Sequence, residues 1–265
     1  MSPQTIPDNP RILLSNDDGV DAPGLASLEA IAATLSDDVW VVAPADEQSG
    51  ASRKMSFTDP VLVHELGPRR FAVRGTPSDA VFLGVHDLIK GKKPDLVLSG
   101  VNRGQNLAED VSVSGTVAAA IQGMSMGVPS IALSQALDSF IGAGPAPFAT
   151  AEAHAPALLK RLIAAGWAES VVLNVNFPPC GADEVAGTVV TRQGWRDQWK
   201  QTAERREDLR GRAYYWIGFH GSMSNPEEGD DLHAVYNNAV SVTPLHVNLT
   251  HEPSRAALAE ALEAG

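Results

Sequence analysis

At 265 residues the chain is long enough to bury a large core, as one domain or as a domain with an appendage. Apolar residues make up 44% and charged residues 20%, which excludes a disordered or fibrous chain. Acidic residues outnumber basic ones 32 to 20, for a net charge of −12. That balance speaks against a protein that tracks a nucleic-acid polymer, yet leaves room for a small anion, because a bound cation reverses the local field.

No apolar run approaches the roughly 20 residues of a membrane span, so no membrane partner is expected. Residues 1–10 are polar and Pro-containing, without the basic and apolar regions of a secretory signal. They read as a short frayed lead-in. The single cysteine, Cys180, forbids an internal disulfide and fits a reducing cytoplasm. It is read as structural rather than nucleophilic.

Residues 12–15 form a short apolar run that empties into Asn16-Asp17-Asp18-Gly19, a buried strand followed by a polar turn. Leu25, Leu28, Ile31, Ala32 and Leu35 then recur at helical spacing. A second apolar strand, 39–43, stops at Pro44 and gives way to the polar loop 46–53. Runs 61–66 and 71–73, parted by Gly67-Pro68, read as an inserted hairpin. Gly75-Thr76-Pro77-Ser78-Asp79 carries a hydroxyl cap and an early proline, starting a helix over 80–89. Residues 95–99 form a strand, and 100–114 form a loop rich in Gly, Asn and Asp. Ser114-Gly115-Thr116 then caps a small-residue helix over 117–126. A strand at 130–134, a helix at 148–165 and a strand at 171–176 complete the series.

Continuous apolar strands alternating with helices predict a Rossmann-like, doubly wound α/β fold with a mostly parallel sheet covered on both faces. After about residue 185 the texture changes. Short β candidates at 189–191, 214–218 and 240–244 flank a polar, basic stretch at 198–212, read as a loop or arm, and 252–264 reads as an amphipathic helix. The expected organisation is a lead-in at 1–10, a catalytic core at 11–185, and a C-terminal β extension at 186–265 packed on that core.

In such folds ligands sit outside the carboxyl ends of the strands, at the switch point of strand order. Three polar loops fall at such ends. If their strands are neighbours, Asp17, Asp18, the Ser49 hydroxyl and the Asn102 amide can meet around a hard divalent cation, Mg²⁺ or Mn²⁺. The helix start at Ser114-Gly115-Thr116 offers free backbone N–H groups suited to a phosphate. Each piece also has a plainer reading: Asp17-Asp18-Gly19 as a turn, Ser114 as a cap, Asn102 and Asn106 as turn residues. The convergence of several at one sheet edge favours metal-assisted phosphoryl chemistry.

Rival chemistries lack their motifs. There is no phosphate-binding G-x-x-x-x-G-K-[ST], no G-x-G-x-x-G after the first strand and no G-x-S-x-G elbow. The seven histidines are scattered, and His246 is read as structural. Adjacent Asp17-Asp18 lacks the Asp-x-Asp spacing of phosphatases that form an aspartyl-phosphate, which leaves a metal-activated water as the nucleophile.

The combined motifs resemble those of the SurE (survival protein E) family of divalent-metal-dependent 5′/3′-nucleotidases. The resemblance is carried by residues 11–20 with Ala22-Pro23-Gly24, by Val42-Ala43-Pro44 with Gln48-Ser49-Gly50-Ala51-Ser52, and by Gly75-Thr76-Pro77-Ser78-Asp79. It continues through 94–102, Asn106-Leu107, 114–120, Tyr215-Trp216-Ile217-Gly218 and 241–247. It implies one divalent cation per subunit held by Asp17, Asp18, Ser49 and Asn102, with Asp17 and Asp18 also catalytic. Asn106, Ser114, Gly115 and Thr116 would lie around the phosphate of a nucleoside monophosphate. It further implies hydrolysis at 5′ or 3′ positions, cleavage of short polyphosphate by some members, and homodimers or homotetramers formed by an exchanged C-terminal arm. The alternatives are a polyphosphatase or broad acid-phosphatase specificity at the same site, or a nucleotide-binding regulator without turnover. Arg103-Gly104-Gln105 and Ala108-Glu109 depart from the family pattern, as does the lead-in.

Overall fold

The computed structural model of the chain describes residues 4–137, 148–197, 199–221 and 223–263. In chain order the core elements are β1 (Ile12–Ser15), α1 (Pro23–Ala32), β2 (Val39–Pro44), β3 (Leu62–Gly67), β4 (Arg70–Arg74) and α2 (Pro77–Leu83). Next come β5 (Leu96–Arg103), α3 (Gly115–Ser125), β6 (Ser130–Gln135), α4 (Ala149–Ala165) and β7 (Val172–Phe177). The remainder supplies β8 (Gly187–Val190), β9 (Trp199–Glu207), β10 (Ala213–Gly221), α5 (Asp231–Tyr236), β11 (Ala239–Leu245) and α6 (Glu252–Glu263).

Among the described residues nine strands build one sheet in the order β3-β4-β2-β1-β5-β6-β7-β11-β8. The six from β4 to β7 run parallel. The pairs β3–β4 and β11–β7 are antiparallel. From β1 the chain winds outward to β2 and β4, then returns to β5 on the other side and winds outward again. The switch point therefore lies between β1 and β5, and the doubly wound fold expected from the strand pattern is the fold observed.

All four residues of β1 are buried. Alternate side chains of a strand point to opposite faces, so Ile12 and Leu14 join a cluster with Leu25, Leu28 and Ile31 of α1 and Ala155 and Leu159 of α4. Leu13 points the other way, onto Val81 and Ala119 of α2 and α3. A strand covered on both faces carries no polar alternation, which is why it reads as a continuous apolar run.

Two local expectations need correction. β5 continues through Gly100, Val101 and Asn102 to Arg103, so Asn102 sits on a strand end rather than in a loop. Its register with β6 shifts between Ser99 and Asn102. Gly100, at φ +136°, lies so close to β6 that a Cβ would fall 2.2 Å from the Leu133 carbonyl oxygen. The polar stretch after 198 is a strand, not a loop: β9 pairs antiparallel with β10 in a two-stranded ribbon. Residues 202–206 are exposed, and a stretch that buries no side chain leaves no apolar periodicity to read. Gln198 and Ala264 lie outside the described residues. β8 and β11, both from beyond residue 185, complete the main sheet, and the short α5 had no sequence signal.

Candidate active site

Asp17 and Asp18 follow directly from β1, where the turn 16–19 closes on itself: the Asn16 side-chain amide donates to the Gly19 carbonyl at 2.8 Å, with Gly19 at φ +104°. Asp17 is buried and Asp18 partly so. Burial lifts the Asp17 carboxyl to about 6, and the neighbouring Asp18 charge adds to the effect. The Thr116 hydroxyl and backbone N–H pull in the opposite direction. Burial also raises Asp18, helped by the Glu47 charge and opposed by the N–H and charge of Arg103. Both groups therefore hold a proton more tightly than an ordinary aspartate.

The start of α3 meets this pair. Thr116 donates its hydroxyl to Asp17 Oδ1 at 2.5 Å. Gly115 leaves the room: a Cβ there would stand 2.7 Å from the Asp17 Cβ and 2.8 Å from its Oδ2. Ser114 is the N-cap, its Oγ accepting from the Val117 N–H at 3.1 Å. Both hydroxyls of the Ser-Gly-Thr segment are thus engaged within the protein, as are the Thr116 N–H with Asp17 and the Val117 N–H with Ser114, so the anion-binding capacity of this helix start falls to the Gly115 N–H.

The other two proposed ligands flank the pair. At the end of β5, Asn102 directs its Nδ2 to the Gly104 carbonyl at 2.9 Å, and the next backbone N–H, of Arg103, reaches Asp18 Oδ2 at 3.3 Å. Ser49 is exposed on the loop after β2, where its hydroxyl donates to Glu47 Oε1 at 2.9 Å. That loop is tied to the site through the Gln48 N–H, which donates to the Asp17 carbonyl at 2.7 Å.

Asn106 takes a different setting. Its Nδ2 donates to Ser134 Oγ at 2.8 Å and its N–H to Asn176 Oδ1 at 2.8 Å. Its carbonyl accepts from Asn174 and Asn176. This buried amide web joins the ends of β6 and β7 to the loop that leads to α3. A second clamp comes from the C-terminal region. Arg196 donates to the Leu107 carbonyl at 3.1 Å and to Asp110 Oδ2 at 2.6 Å, Asp231 accepts from the Ala108 N–H at 2.9 Å, and Gln193 donates to the Ala108 carbonyl. None of Asn174, Asn176, Arg196 and Asp231 stood out in the sequence. Polar side chains inside apolar or charged runs were the only signal available, and their partners lie 68 to 123 residues away.

The donor set suits a hard cation. Among the described residues no group of three or more His, Cys, Asp or Glu side chains gathers into a metal cluster, so a cation here would take the two aspartates plus neutral oxygens. Two adjacent carboxylates, both raised and neither ion-paired to a Lys or Arg side chain among the described residues, mark a place where positive charge is missing. Divalent Mg²⁺ or Mn²⁺ chemistry fits oxygen ligands of this kind.

Fold and site together define a doubly wound α/β protein whose polar groups meet at the topological switch point. A family model described as "Survival protein SurE" matches residues 12–200, and the chain belongs to that family. It is 59% identical to the "5'-nucleotidase SurE" of Phenylobacterium zucineum, over 92% of this chain and 94% of that one. It is 58% identical to the protein of the same name from Caulobacter vibrioides, over 91% and 92%. The crystal structure of the SurE protein from Aquifex aeolicus matches with a TM-score of 0.80 at 38% identity, covering 95% of this chain and 99% of that chain.

Proposed function

We propose that the chain is a divalent-metal-dependent phosphomonoesterase acting on nucleoside monophosphates, a 5′-nucleotidase that also accepts 3′ phosphates. The nucleotidase assignment rests on family membership and on relatives of that name matched over more than nine-tenths of both chains. The observation that carries the chemistry is the Asp17-Asp18 pair at the switch point, with Asp17 buried and bonded to the first turn of α3.

In this reading Asp17 and Asp18 hold one Mg²⁺ or Mn²⁺, with Ser49 and Asn102 supplying neutral oxygens. When bound, such a cation polarises the phosphoryl group and lowers the pKa of water. Thr116 keeps the Asp17 carboxylate in one orientation. The Gly115 N–H, at the positive end of α3, steadies the phosphoryl oxygens as charge develops, and Asn106 shapes the wall beside them. One aspartate orients the attacking water and accepts its proton.

The test is phosphate release from adenosine 5′-monophosphate: abolished by EDTA, restored by Mn²⁺ or Mg²⁺, and reduced at least about a hundredfold in Asp17→Asn. Turnover that survives both EDTA and that substitution overturns the assignment. A homodimer or homotetramer exchanging the β9–β10 arm belongs to the same proposal, supported by the 61% and 80% exposure of Trp216 and Ile217 on β10. Cytoplasmic residence is proposed from the lone Cys180. Among the described residues no helix is long and apolar enough to cross a membrane.

A further inference from the structure

The carboxyl edge of the sheet carries a polar cavity beside the carboxylate pair, of about 250 Å³, lined among others by Asp46, Gln48, Lys54, Ser56, Arg74 and Thr76. It sits at the carboxyl ends of β2 and β4, the strands next to β1 on the side away from β5. Strands lie about 4.8 Å apart, so β4 is about 10 Å from β1, within the span of one nucleotide. The cavity and the carboxylate pair share a wall, because Gln48 lines the former and bonds the Asp17 backbone through its N–H.

The wall is cross-linked by hydrogen bonds. Asp79 accepts from the Ser56 N–H at 3.0 Å, the Ser56 hydroxyl at 2.7 Å and the Thr76 N–H at 2.9 Å. The Thr76 hydroxyl in turn donates to the Lys54 carbonyl at 2.7 Å. These bonds tie the loop carrying Lys54 to the strand end carrying Arg74. Among the described residues neither cationic side chain forms an ion pair or hydrogen bond, in a chain whose acids outnumber its bases 32 to 20. Arg70, at the other end of β4, is by contrast paired with Glu29. Asp46 is the one carboxylate in the lining, so the cavity keeps one net positive charge.

We propose that this cavity is an anion subsite that receives a second phosphate of the substrate, with Lys54 and Arg74 as its specificity-determining cations. The proposal rests on the nucleotidase reading for the place of the scissile phosphate. A second phosphate on the ribose and the next phosphate of a linear chain share the chemistry that two unpaired cations recognise.

The experiment uses the full chain with Mn²⁺, as wild type and as the double variant Lys54→Gln with Arg74→Gln. Three substrates are compared: adenosine 5′-monophosphate, adenosine 3′,5′-bisphosphate and tripolyphosphate. The KM for a substrate with a second phosphate is expected to rise about tenfold, with KM for the monophosphate and kcat changing less than about twofold. A rise confined to the bisphosphate assigns a ribose-borne phosphate, and one confined to tripolyphosphate assigns a linear chain. Equal changes for all three substrates, or none, overturn the subsite. Should wild type release phosphate from no substrate, the nucleotidase reading fails by itself. Titration calorimetry of adenosine 3′,5′-bisphosphate then decides the subsite: a Kd weakened about tenfold in the double variant supports it, and an unchanged Kd overturns it.

Discussion

At Asp17, burial, a like-charged neighbour and a helix start act on a single carboxyl. Its pKa of about 6 in the folded, metal-free chain lies above the ordinary 3.8. The folded state therefore holds this proton more tightly than the unfolded chain does. Stability is fully present below about pH 4, falls as pH rises from about 4 to about 6, and levels off above, a loss of about 3 kcal/mol from this group. Asp17→Asn should accordingly melt above wild type in EDTA at pH 7, with the gap closing towards pH 4. A gap that does not change with pH would show that Asp17 is not the group responsible. Gly115 makes an independent case. A methyl group in contact with the Asp17 side chain must move the carboxylate, so Gly115→Ala should raise the metal concentration for half-activation at least about tenfold, while far-ultraviolet circular dichroism stays that of wild type. The adjacent carboxylates were legible in the sequence. The Ser114-Gly115-Thr116 helix start is legible as an anion site through its backbone N–H groups, but the bond of the Thr116 hydroxyl to a residue 99 positions away is not, because nothing local says which turn of which helix faces the loop after β1.

At the scale of elements, the segment between β5 and α3 is held by side chains from beyond residue 190. Arg196 has a side-chain exposure of 2% and binds Asp110, whose pKa burial raises against the opposing pull of the Arg196 charge and hydrogen bond. Replacing it by alanine leaves that carboxylate without its cation and the Leu107 carbonyl without its donor, a cost of about 3 kcal/mol. Arg196→Ala should show a lower denaturation midpoint and faster hydrogen exchange over residues 107–113; exchange confined to 192–197 would count against the clamp. Ala108 adopts φ +53° in the same segment, a conformation that costs a side chain about 1 kcal/mol. Ala108→Gly should therefore recover up to about that amount in urea denaturation, where an ordinary glycine substitution loses stability. Helix starts were legible because capping chemistry is local: Thr76 and Asp79 form a capping box on α2, and Ser114 caps α3. The continuation of β5 to Arg103 was not, since Gly100 and Asn102 read as turn residues until the closeness of β6 is known.

For the whole molecule, the β9–β10 ribbon stands apart from the main sheet, with Tyr215, Trp216 and Ile217 exposed. Apolar surface of this kind is a cost to a monomer and a contact for a second copy. The proposed arm exchange predicts that replacing residues 199–221 by a short Gly-Ser turn converts an oligomer to a monomer by light scattering, and a monomeric full chain would refute it. Much of the architecture was settled by the amino-acid order alone. Alternation of continuous apolar strands with capped helices dictates a parallel, doubly covered sheet, because a strand buried on both faces has no polar face to show. Polar loops at three strand ends, two adjacent aspartates among them, follow from the same local record. Only the tertiary structure decided that β1 and β5 flank the switch point, that Thr116 turns to Asp17, that Asn106 is bound into the β6–β7 web, and that Arg196 and Asp231 hold the approach to α3. Those contacts join residues far apart in the chain, and their partners exist only once the sheet order brings the strand ends together.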